Sequence, residues 1–447
     1  MIRDFLNDLL ELFKKNPFLK ILYRLPFAPR LYHKTLAYLG ALIYGFPSRR
    51  VFVLGVTGTK GKSTTIELIN SILEEAGLKT ALVSSIRIKV DKETEPNMSG
   101  NTMAGRFSIQ RLLYKAKKAH CKYVLVEVTS QGVLYFRDRY IDWDAVLFTN
   151  IAPEHIEAHG SFEKYREAKI RFFTNLRFSK KKTKYFFINE VDPSRHYFEK
   201  AARSVPGSKT ILFSRDQFVK KEMGGRYNLS SGVGRKLLAD WLLADFNLEN
   251  AAAAAAFAKS RDIPWSVIKK AFDDFRGVPG RLEFVQKSPF AIVVDYAHTP
   301  DSLKKVYETL RPESLSPRSS GSLICVLGSA GGGRDKWKRP EMGKIAATYC
   351  DKIILTNEDP FDENPAEIIR EIENGFLKAP RMKLGPQDHF HVLDRRAAIK
   401  KAVSLAKRGD VVIITGKGSE PWMRIQRGKK IPWNERKVVE EILQNPQ

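Results

Sequence analysis

A short apolar run, a glycine-rich turn and a helical segment follow one another between residues 51 and 76. Residues 51–56 read Val-Phe-Val-Leu-Gly-Val, which is the pattern of a buried strand. Small residues in the turn let backbone N–H groups approach phosphate oxygens, and the helix predicted over 63–76 adds its positive end. The sequence therefore predicts a phosphate-binding loop, in which Lys62 reaches the β- and γ-phosphates and the Ser63 hydroxyl binds Mg²⁺. Its nucleotide-binding residues are Gly58, Thr59, Lys60, Gly61, Lys62, Ser63 and Thr64.

The rest of the chain alternates between apolar runs and helical segments. Strands are predicted at Thr80–Val83, 123–128, Ala145–Phe148, 291–294, Leu323–Leu327, Lys352–Leu355 and Val411–Thr415. An alanine-rich helix is predicted over 251–258, and Pro264, Gly277, Pro279 and Gly280 then mark a hinge. This alternation predicts an α/β protein with parallel sheets covered on both faces. We expect a central P-loop ATPase domain over 51–277 and a C-terminal Rossmann-like domain over 278–447.

Residues 1–50 form a separate, basic segment with nine Lys/Arg against three Asp/Glu. Apolar residues at helical spacing predict two or three short amphipathic helices, which either cover a neighbouring core or make weak contact with a membrane surface. The longest mostly apolar run, 35–46, is too short to cross a bilayer, and no signal peptide is visible. Cys121, Cys325 and Cys350 are too few and too scattered for a disulfide framework or a zinc site. We therefore expect a cytoplasmic protein.

The charge balance is strongly basic, with 76 Lys+Arg against 50 Asp+Glu and a net charge of +26. Such an excess attracts polyanions, which include nucleic acid, an anionic membrane surface, or a small substrate with phosphates and carboxylates. A generally basic, soluble surface is the alternative. Because the charge is spread widely and no recognition stripe stands out, nucleic acid is not expected as a partner.

Two further patterns carry candidate chemistry. Glu127 ends an apolar strand, where a Mg²⁺-binding carboxylate belongs beside a nucleotide site, although an edge carboxylate of this kind is more often solvated. His155 and His159 stand four residues apart and could bind a metal or cap a loop. By its pattern alone, Lys169 is an ordinary surface lysine.

Several motifs in order resemble the Mur ligases of peptidoglycan synthesis, and most closely the MurE type, UDP-N-acetylmuramoyl-tripeptide synthetase. The resemblance covers about residues 50–440. It is carried by the phosphate loop, the Glu127 strand, Glu154 and His155 with Lys169, and the segments 246–250, 277–281, 295–300 and 416–420. It implies an ATP-dependent, ADP-forming ligase that adds an amino acid to a UDP-N-acetylmuramoyl-peptide or a related muropeptide through an acyl phosphate.

The resemblance also implies roles for individual residues. Two Mg²⁺ ions are expected, one held by Ser63 and Glu127 and one by His155 and a carbamylated Lys169. Lys62, Lys169, His155 and His298 are the expected catalytic residues, while Asn250, Arg281 and Asp295 would bind the nucleotide. The expected substrate-binding residues are Thr102, Thr129 and Arg137 for the muropeptide and Arg334, Asp359, Gly416 and Glu420 for the amino acid.

The sequence departs from the family at two places. A globular domain usually grips the uridine end, whereas about 50 residues precede the phosphate loop here, so the acceptor could be a shorter or differently decorated muropeptide. Phe361 stands where diaminopimelate enzymes have an arginine, which predicts rejection of diaminopimelate. Lysine, ornithine or a small neutral amino acid is expected instead, and a basic one is favoured by the nearby acids Glu358, Asp359, Asp362 and Glu363.

Three alternatives stay open at this point. The chain could be a folylpolyglutamate-synthase-like ligase, although Tyr296 and Thr299 differ from the glycine and asparagine typical of that group. It could be an amidating Mur-like subunit with a glutaminase partner. It could also be a basic, nucleotide-gated nucleic-acid binder. We expect the protein to be a monomer and to act on small molecules.

Overall fold

The computed structural model describes residues 28–99, 101–154, 156–222, 240–242, 244–312, 321–379, 385 and 387–445. The helices predicted before residue 28 lie outside these residues. Among the described residues the helices are α1 (Ala28–Ile43), α2 (Lys62–Glu75), α3 (Arg106–Lys118), α4 (Ser130–Leu134), α5 (Ile156–His159), α6 (Phe162–Asn175), α7 (Arg195–Arg203), α8 (Arg215–Glu222), α9 (Asp245–Lys259), α10 (Trp265–Asp274), α11 (Pro300–Leu310), α12 (Lys338–Tyr349), α13 (Pro365–Glu373), α14 (Arg395–Leu405) and α15 (Glu435–Gln444).

The strands are β1 (Phe52–Thr57), β2 (Thr80–Val83), β3 (Arg87–Val90), β4 (Glu93–Pro96), β5 (Tyr123–Glu127), β6 (Ala145–Phe148), β7 (Lys184–Asn189), β8 (Ser208–Phe213), β9 (Glu283–Gln286), β10 (Ala291–Asp295), β11 (Leu323–Leu327), β12 (Lys352–Leu355), β13 (His389–His391), β14 (Val411–Thr415), β15 (Trp422–Arg424) and β16 (Lys430–Pro432). Each strand predicted from the sequence is present, which confirms the α/β class. The alanine-rich helix begins earlier than predicted, at Asp245, so Asn250 lies inside it.

The first sheet has the order β4-β3-β2-β5-β1-β6-β7-β8. Strands β2, β5, β1, β6, β7 and β8 run parallel, whereas β3 and β4 add an antiparallel edge. Val56 of β1 is paired with Glu127 of β5. This register places the Glu127 carboxylate at the carboxyl end of the sheet, next to the phosphate loop that leaves β1.

The second sheet has the order β13-β12-β11-β14-β10-β9, with β9 antiparallel to the rest. Asp295 at the end of β10 is paired with Thr415 at the end of β14. The loops that follow β10, β11, β12 and β14 therefore leave the sheet at the same edge. Most of the predicted amino-acid site lies on these loops.

Apolar side chains cover both faces of each sheet. One face of the first sheet packs against α2, α9 and α10, and the other packs against α3, α6 and α7. The second sheet is covered by α11, α12 and α13 on one face and by α14 and α15 on the other. Strands buried on both faces explain why β1, β5, β11 and β14 read as continuous apolar runs.

Helix α1 packs on α3 through Ala37, Gly40 and Ala41, so part of the basic N-terminal segment covers a neighbouring helix as expected. Its opposite face exposes Leu31 and Leu42 among other apolar side chains. No helix in the described part of the chain combines the length and the apolar character needed to cross a membrane.

A disulfide joins Cys325 of β11 to Cys350 at the end of α12. The sequence predicts no disulfide framework, and this single bridge between two of the three cysteines is a feature that it does not indicate. Helix α12 packs back onto β11, so its C-terminal end comes beside the strand and both sulfur atoms are buried. Cys121 is a free, buried thiol.

Candidate active site

Loops at the carboxyl ends of both sheets face one another across a cleft of about 660 Å³. Parallel sheets bind ligands at this edge, so the cleft is the candidate active site. The predicted site residues that line it are Thr59, Lys60, Gly61, Lys62, Ser63, Thr64, Thr102, Glu127, Thr129, Arg137, Asn250, Arg281, Asp295, His298, Arg334 and Glu420.

The phosphate loop depends on two glycines. Gly58 and Gly61 have φ angles of +153° and +82°. A Cβ on Gly58 would lie 1.9 Å from Thr149 Oγ1, and one on Gly61 would lie 2.2 Å from Asn250 Oδ1. The loop thus adopts its shape only because these positions lack a side chain.

At the start of α2, Lys62 Nζ donates to the carbonyls of Gly58 and Thr59 at 3.1 and 3.0 Å. The Ser63 hydroxyl donates to Glu127 Oε2 at 2.9 Å, and the backbone N–H of Ser85 donates to the same oxygen at 2.8 Å. Burial lowers the pKa of Lys62, while Glu127 acts in the opposite direction. The predicted lysine, hydroxyl and carboxylate are therefore together at one point of the cleft.

Lys169 is buried, which corrects its interpretation as an ordinary surface lysine. Its Nζ donates to the Gly58 carbonyl at 2.7 Å and lies 4.6 Å from the centre of the Tyr165 ring. Burial, followed by repulsion from Lys62, lowers the pKa of Lys169 well below its ordinary value. The amine therefore lies directly behind the phosphate loop with its neutral form favoured.

Asn250 supports the phosphate loop from α9. Its Oδ1 accepts a hydrogen bond from Thr65 Oγ1 at 3.3 Å, and its Nδ2 donates to Asn247 Oδ1 at 3.2 Å. The contact with Gly61 shows that the amide helps to shape the loop. The nucleotide contact that the resemblance implies for Asn250 stays a prediction.

Glu154 connects the two sheets across the cleft. Its Oε1 lies 3.2 Å from Lys60 Nζ and 3.3 Å from His298 Nε2. His298 Nδ1 lies 2.7 Å from the Tyr296 carbonyl. Burial and then the charge of Lys60 lower the pKa of His298 to about 4, so the ring is neutral at pH 7 and donates to one of these two oxygens. Lys338 Nζ donates to the His298 carbonyl at 3.1 Å.

Asp295 holds the loop after β10. Its carboxylate accepts from the backbone N–H groups of Leu282 and Ala297, both at 2.7 Å. Arg281 stacks on Tyr296, with its guanidinium carbon 4.2 Å from the ring centre. The buried Arg281 Nε has no hydrogen-bond partner among the described residues. Asp295 therefore fixes this wall of the cleft, and Arg281 lines the cleft beside it.

On the amino-acid side, Glu420 Oε1 accepts from the Tyr296 hydroxyl at 3.0 Å, and the other Glu420 oxygen binds Lys417. Lys417 Nζ also donates to Asp359 Oδ1 at 2.8 Å. This buried pair keeps Asp359 behind the cleft wall, and Gly416 is likewise behind it, packed on Glu358. Asp359 and Gly416 are not among the residues that line the cleft, whereas Arg334 and Glu420 are. The substrate contacts expected of these four residues stay predictions.

On the acceptor side, Thr129 caps α4 by accepting from the Gly132 N–H at 3.1 Å. Arg137 Nη1 donates to the Met103 carbonyl at 2.6 Å, and its buried Nε has no partner in the described part of the chain. Thr102 lies on the same wall. These side chains offer donors for a polar, anionic acceptor.

His155 lies outside the described residues, so the second predicted metal site is only partly described. Among the described residues, no three His, Cys, Asp or Glu side chains form a metal-binding group. Sequence reasoning did not assign roles to Lys338, Lys417 or Arg424. No local pattern marks them, because each acts through a residue distant in the sequence.

Comparison with known proteins gives the family. A model described as the Mur ligase middle domain matches residues 56–258, and one described as the Mur ligase, glutamate ligase domain matches 280–418. A UDP-N-acetylmuramoyl-L-alanyl-D-glutamate--2,6-diaminopimelate ligase of Syntrophomonas wolfei is 35% identical over 92% of this chain and 81% of its own length. The chain belongs to the Mur ligase family. A UDP-N-acetylmuramyl-tripeptide synthetase of Roseiflexus is 34% identical over 90% of this chain and 80% of that protein.

Solved structures agree with this assignment. A UDP-N-acetylmuramoyl-L-alanyl-D-glutamate--2,6-diaminopimelate ligase has a TM-score of 0.55 at 25% identity, covering 88% of this chain and 78% of that chain. A folylpolyglutamate synthase of Mycobacterium tuberculosis has a TM-score of 0.64 at 16% identity, covering 86% and 92%. At 16% identity, the similarity to the folylpolyglutamate synthase shows a shared fold only. The predicted resemblance to MurE-type ligases is therefore confirmed, and this Mur ligase is an ATP-dependent amide ligase of that type.

Proposed function

We propose that this Mur ligase joins the amine of an amino acid to a carboxylate of a UDP-N-acetylmuramoyl-peptide or a related muropeptide in peptidoglycan synthesis. One observation carries the proposal. The phosphate loop of the first sheet and Arg334 and Glu420 of the second sheet line the same cleft. A ligase that activates a carboxylate with ATP needs its nucleotide and its amine substrate in one such space.

The cations of the cleft suit ATP. Lys60 and Lys62 belong to the phosphate loop, and Arg281 lines the cleft beside it. Charge-assisted donors at fixed positions stabilise the charge that develops on a transferring phosphoryl group. Asn250 and Asp295 support this half of the site, Asn250 by shaping the loop and Asp295 by fixing the wall that carries Arg281.

The donor groups also fit Mg²⁺. Ser63 and Glu127 place a hydroxyl and a carboxylate 2.9 Å apart beside the loop, and such oxygen ligands are what Mg²⁺ prefers. A bound Mg²⁺ would neutralise charge on the phosphates. A second ion would be held by His155 and a carbamate on Lys169. The lowered pKa of Lys169 supports this modification, because only a neutral amine adds to CO₂, releasing a proton as the carbamate forms.

The proposed reaction has two steps. An acceptor carboxylate oxygen attacks the γ-phosphorus of ATP, the bond to the β–γ bridging oxygen breaks, and ADP leaves while Lys62 and Arg281 hold the transferred group. The amine then attacks the carbonyl carbon of the acyl phosphate, loses a proton and expels phosphate, leaving the amide. Glu420 would orient the amine, Arg334 would bind its α-carboxylate, and Arg137 would bind the acceptor.

The setting follows from these substrates. We expect the protein to act in the cytoplasm, where ATP and nucleotide-linked precursors occur, as a monomer. The basic charge would serve the anionic substrates, and residues 1–50 could add a weak membrane-surface contact. We do not expect nucleic acid as a partner.

A phosphate-release assay tests the function. ATP, Mg²⁺, UDP-N-acetylmuramoyl-dipeptide and single amino acids would be combined, and each component omitted in turn. We expect phosphate release only in the complete mixture, with formation of the extended peptide seen by mass spectrometry. Release that needs ammonia or a glutaminase in place of an amino acid would favour an amidating subunit, and release with a folate acceptor would favour a folylpolyglutamate-synthase-like ligase.

A further inference from the structure

The residue that stands at the position of the diaminopimelate-binding arginine does not face the cleft. Phe361 has a left-handed backbone, with φ of +52°, and its ring packs on Gly332. A Cβ on Gly332 would lie 2.7 Å from that ring. Phe361 is not among the residues that line the cleft. The aromatic ring therefore supports the loop after β11 and does not form an apolar floor for the substrate.

The acids near Phe361 are already engaged. Asp359 accepts from Lys417 Nζ at 2.8 Å and from the Arg424 N–H at 2.9 Å. Asp362 accepts from the Arg427 N–H at 2.8 Å, and Glu363 is paired with Arg339 at 3.0 Å.

Glu358 is the remaining acid of this group. It is buried and packs on Gly416, and burial raises its pKa. None of the four acids lines the cleft. The sequence argument for a cationic amino-acid side chain therefore loses its support.

Arg424 is a cation that lines the cleft and contacts Phe361. It ends β15, lines the cleft and is partly buried, and its guanidinium carbon lies 5.8 Å from the centre of the Phe361 ring. The hydrogen bond from the Arg424 backbone N–H to Asp359 and the contact with the Phe361 ring fix the position from which the Arg424 side chain extends. In the described part of the chain, no carboxylate lies within ion-pair distance of its guanidinium.

We propose that Arg424 is a specificity residue that binds a side-chain carboxylate of the incoming amino acid, so that the preferred substrate is an α-amino acid with a second carboxylate. This rests on the proposed ligase function. Arg334 would bind the α-carboxylate of the amino acid and Glu420 would bind its amine. Arg424 would then bind the carboxylate of the side chain. A guanidinium forms short, bidentate hydrogen bonds with a carboxylate, which a neutral or cationic side chain cannot replace.

The test compares two substrates that differ by one carboxylate, meso-diaminopimelate and L-lysine, with saturating ATP and UDP-N-acetylmuramoyl-dipeptide. We expect kcat/KM for meso-diaminopimelate to exceed that for L-lysine at least a hundredfold. Arg424→Leu should remove most of this preference by raising KM for meso-diaminopimelate, with little change in KM for ATP. Arg424→Lys should retain part of it. Arg427→Leu, which removes an exposed arginine from the same region, is the matched control and should behave as the unaltered protein.

The other outcomes separate the two proposals. Preference of the unaltered protein for L-lysine would overturn the role of Arg424 while leaving the ligase function intact. Preference for meso-diaminopimelate that survives in Arg424→Leu would assign the second carboxylate to another residue. If no amino acid supports phosphate release with the acceptor, both proposals fail.

Discussion

Lys169 Nζ donates a 2.7 Å hydrogen bond to the carbonyl of Gly58, the residue that opens the phosphate loop. The lysine is fully enclosed and close to a second cation, Lys62, which lowers its pKa. A cation is costly in such a place, whereas a carbamate would be attracted by the cations and metal ions of a nucleotide site. The geometry therefore supports the proposed carbamate on Lys169, which would reverse the charge of this buried group behind the phosphate loop.

Lys169→Ala should be inactive, because the proposed carbamate and its metal ligand are lost. Short carboxylates such as formate or acetate should restore part of the activity by occupying the anionic position. Turnover with and without added carboxylate is the measurement, and ¹³C-labelled bicarbonate should give a carbamate NMR signal that the variant lacks. Lys164→Ala, at an exposed position of the same helix, is the control. Full activity of Lys169→Ala would contradict the modification.

Lys62→Ala should abolish amide formation and leave the fold intact. Loss of a charge-assisted contact to the transferred phosphate costs at least about 2–3 kcal/mol of transition-state binding, on the order of a hundredfold in rate. Phosphate release and the circular-dichroism spectrum would be measured together. Lys79→Ala, which removes an exposed lysine paired with Asp91, should keep normal turnover. Near-normal turnover of the Lys62 variant would place the phosphate site elsewhere.

Ser63→Ala should raise the Mg²⁺ concentration needed for half-maximal activity. The hydroxyl that donates to Glu127 Oε2 is the predicted metal ligand, and alanine removes it without changing the size of the loop. Glu127→Gln should raise the requirement further, since a neutral amide is a weaker Mg²⁺ ligand than a carboxylate. Mg²⁺ titrations of the reaction rate provide the measurement. An unchanged Mg²⁺ requirement in both variants would exclude these residues as ligands.

Much of the fold could be predicted because its signals are local. Strands β1, β5, β11 and β14 are buried on both faces and read as unbroken apolar runs, and the phosphate loop is marked by its glycines. The antiparallel edge strands were missed because β4, with the sequence Glu-Thr-Glu-Pro, is short and exposed and has no apolar pattern.

The site was predicted less completely, because its contacts join distant segments. No sequence pattern indicates that Glu154 contacts His298, or that Lys417 binds Asp359 behind the cleft wall. Phe361 was interpreted as a pocket residue from its place in a motif, and only the position of Gly332 shows where the ring packs. Motifs thus identify which residues matter, whereas the direction of each side chain depends on tertiary packing.

A buried ion pair should hold the amino-acid half of the site in place. Arg395 binds Glu435, and its guanidinium also donates to the carbonyls of Asn357 and Thr415, which follow β12 and end β14. Glu435→Gln leaves a buried guanidinium without its counter-charge and should cost about 3–5 kcal/mol of unfolding free energy. Urea unfolding is the measurement, with the exposed pair variant Glu440→Gln as the control, which should change stability by less than about 1 kcal/mol. A loss below about 1 kcal/mol in Glu435→Gln would show that the pair does not hold this region.

A buried carboxyl should make stability depend on pH. Asp138 is enclosed, with Oδ2 accepting from Asn175 Nδ2 at 2.6 Å and Oδ1 lacking a partner among the described residues. Burial raises its pKa to about 6. Between the ordinary value near 4 and this raised value, the folded protein binds more protons than the unfolded chain, so the contribution of Asp138 to stability falls as pH rises. The free-energy cost of burying the charged Asp138 carboxylate is absent below pH 4 and fully present above pH 6.

Asp138→Asn removes this titration while keeping the shape and the acceptor for Asn175. We expect the variant to be more stable than the unaltered protein by about 1–2 kcal/mol at pH 8, because the charged form no longer has to be buried. The difference should shrink through pH 6 and vanish or reverse by pH 4, where Asp138 is protonated in both states. Unfolding free energies from urea titrations at several pH values measure it, and Asp216→Asn at an exposed site should show no such trend. A stability difference that does not change between pH 4 and pH 8 would mean that Asp138 stays charged in the folded protein.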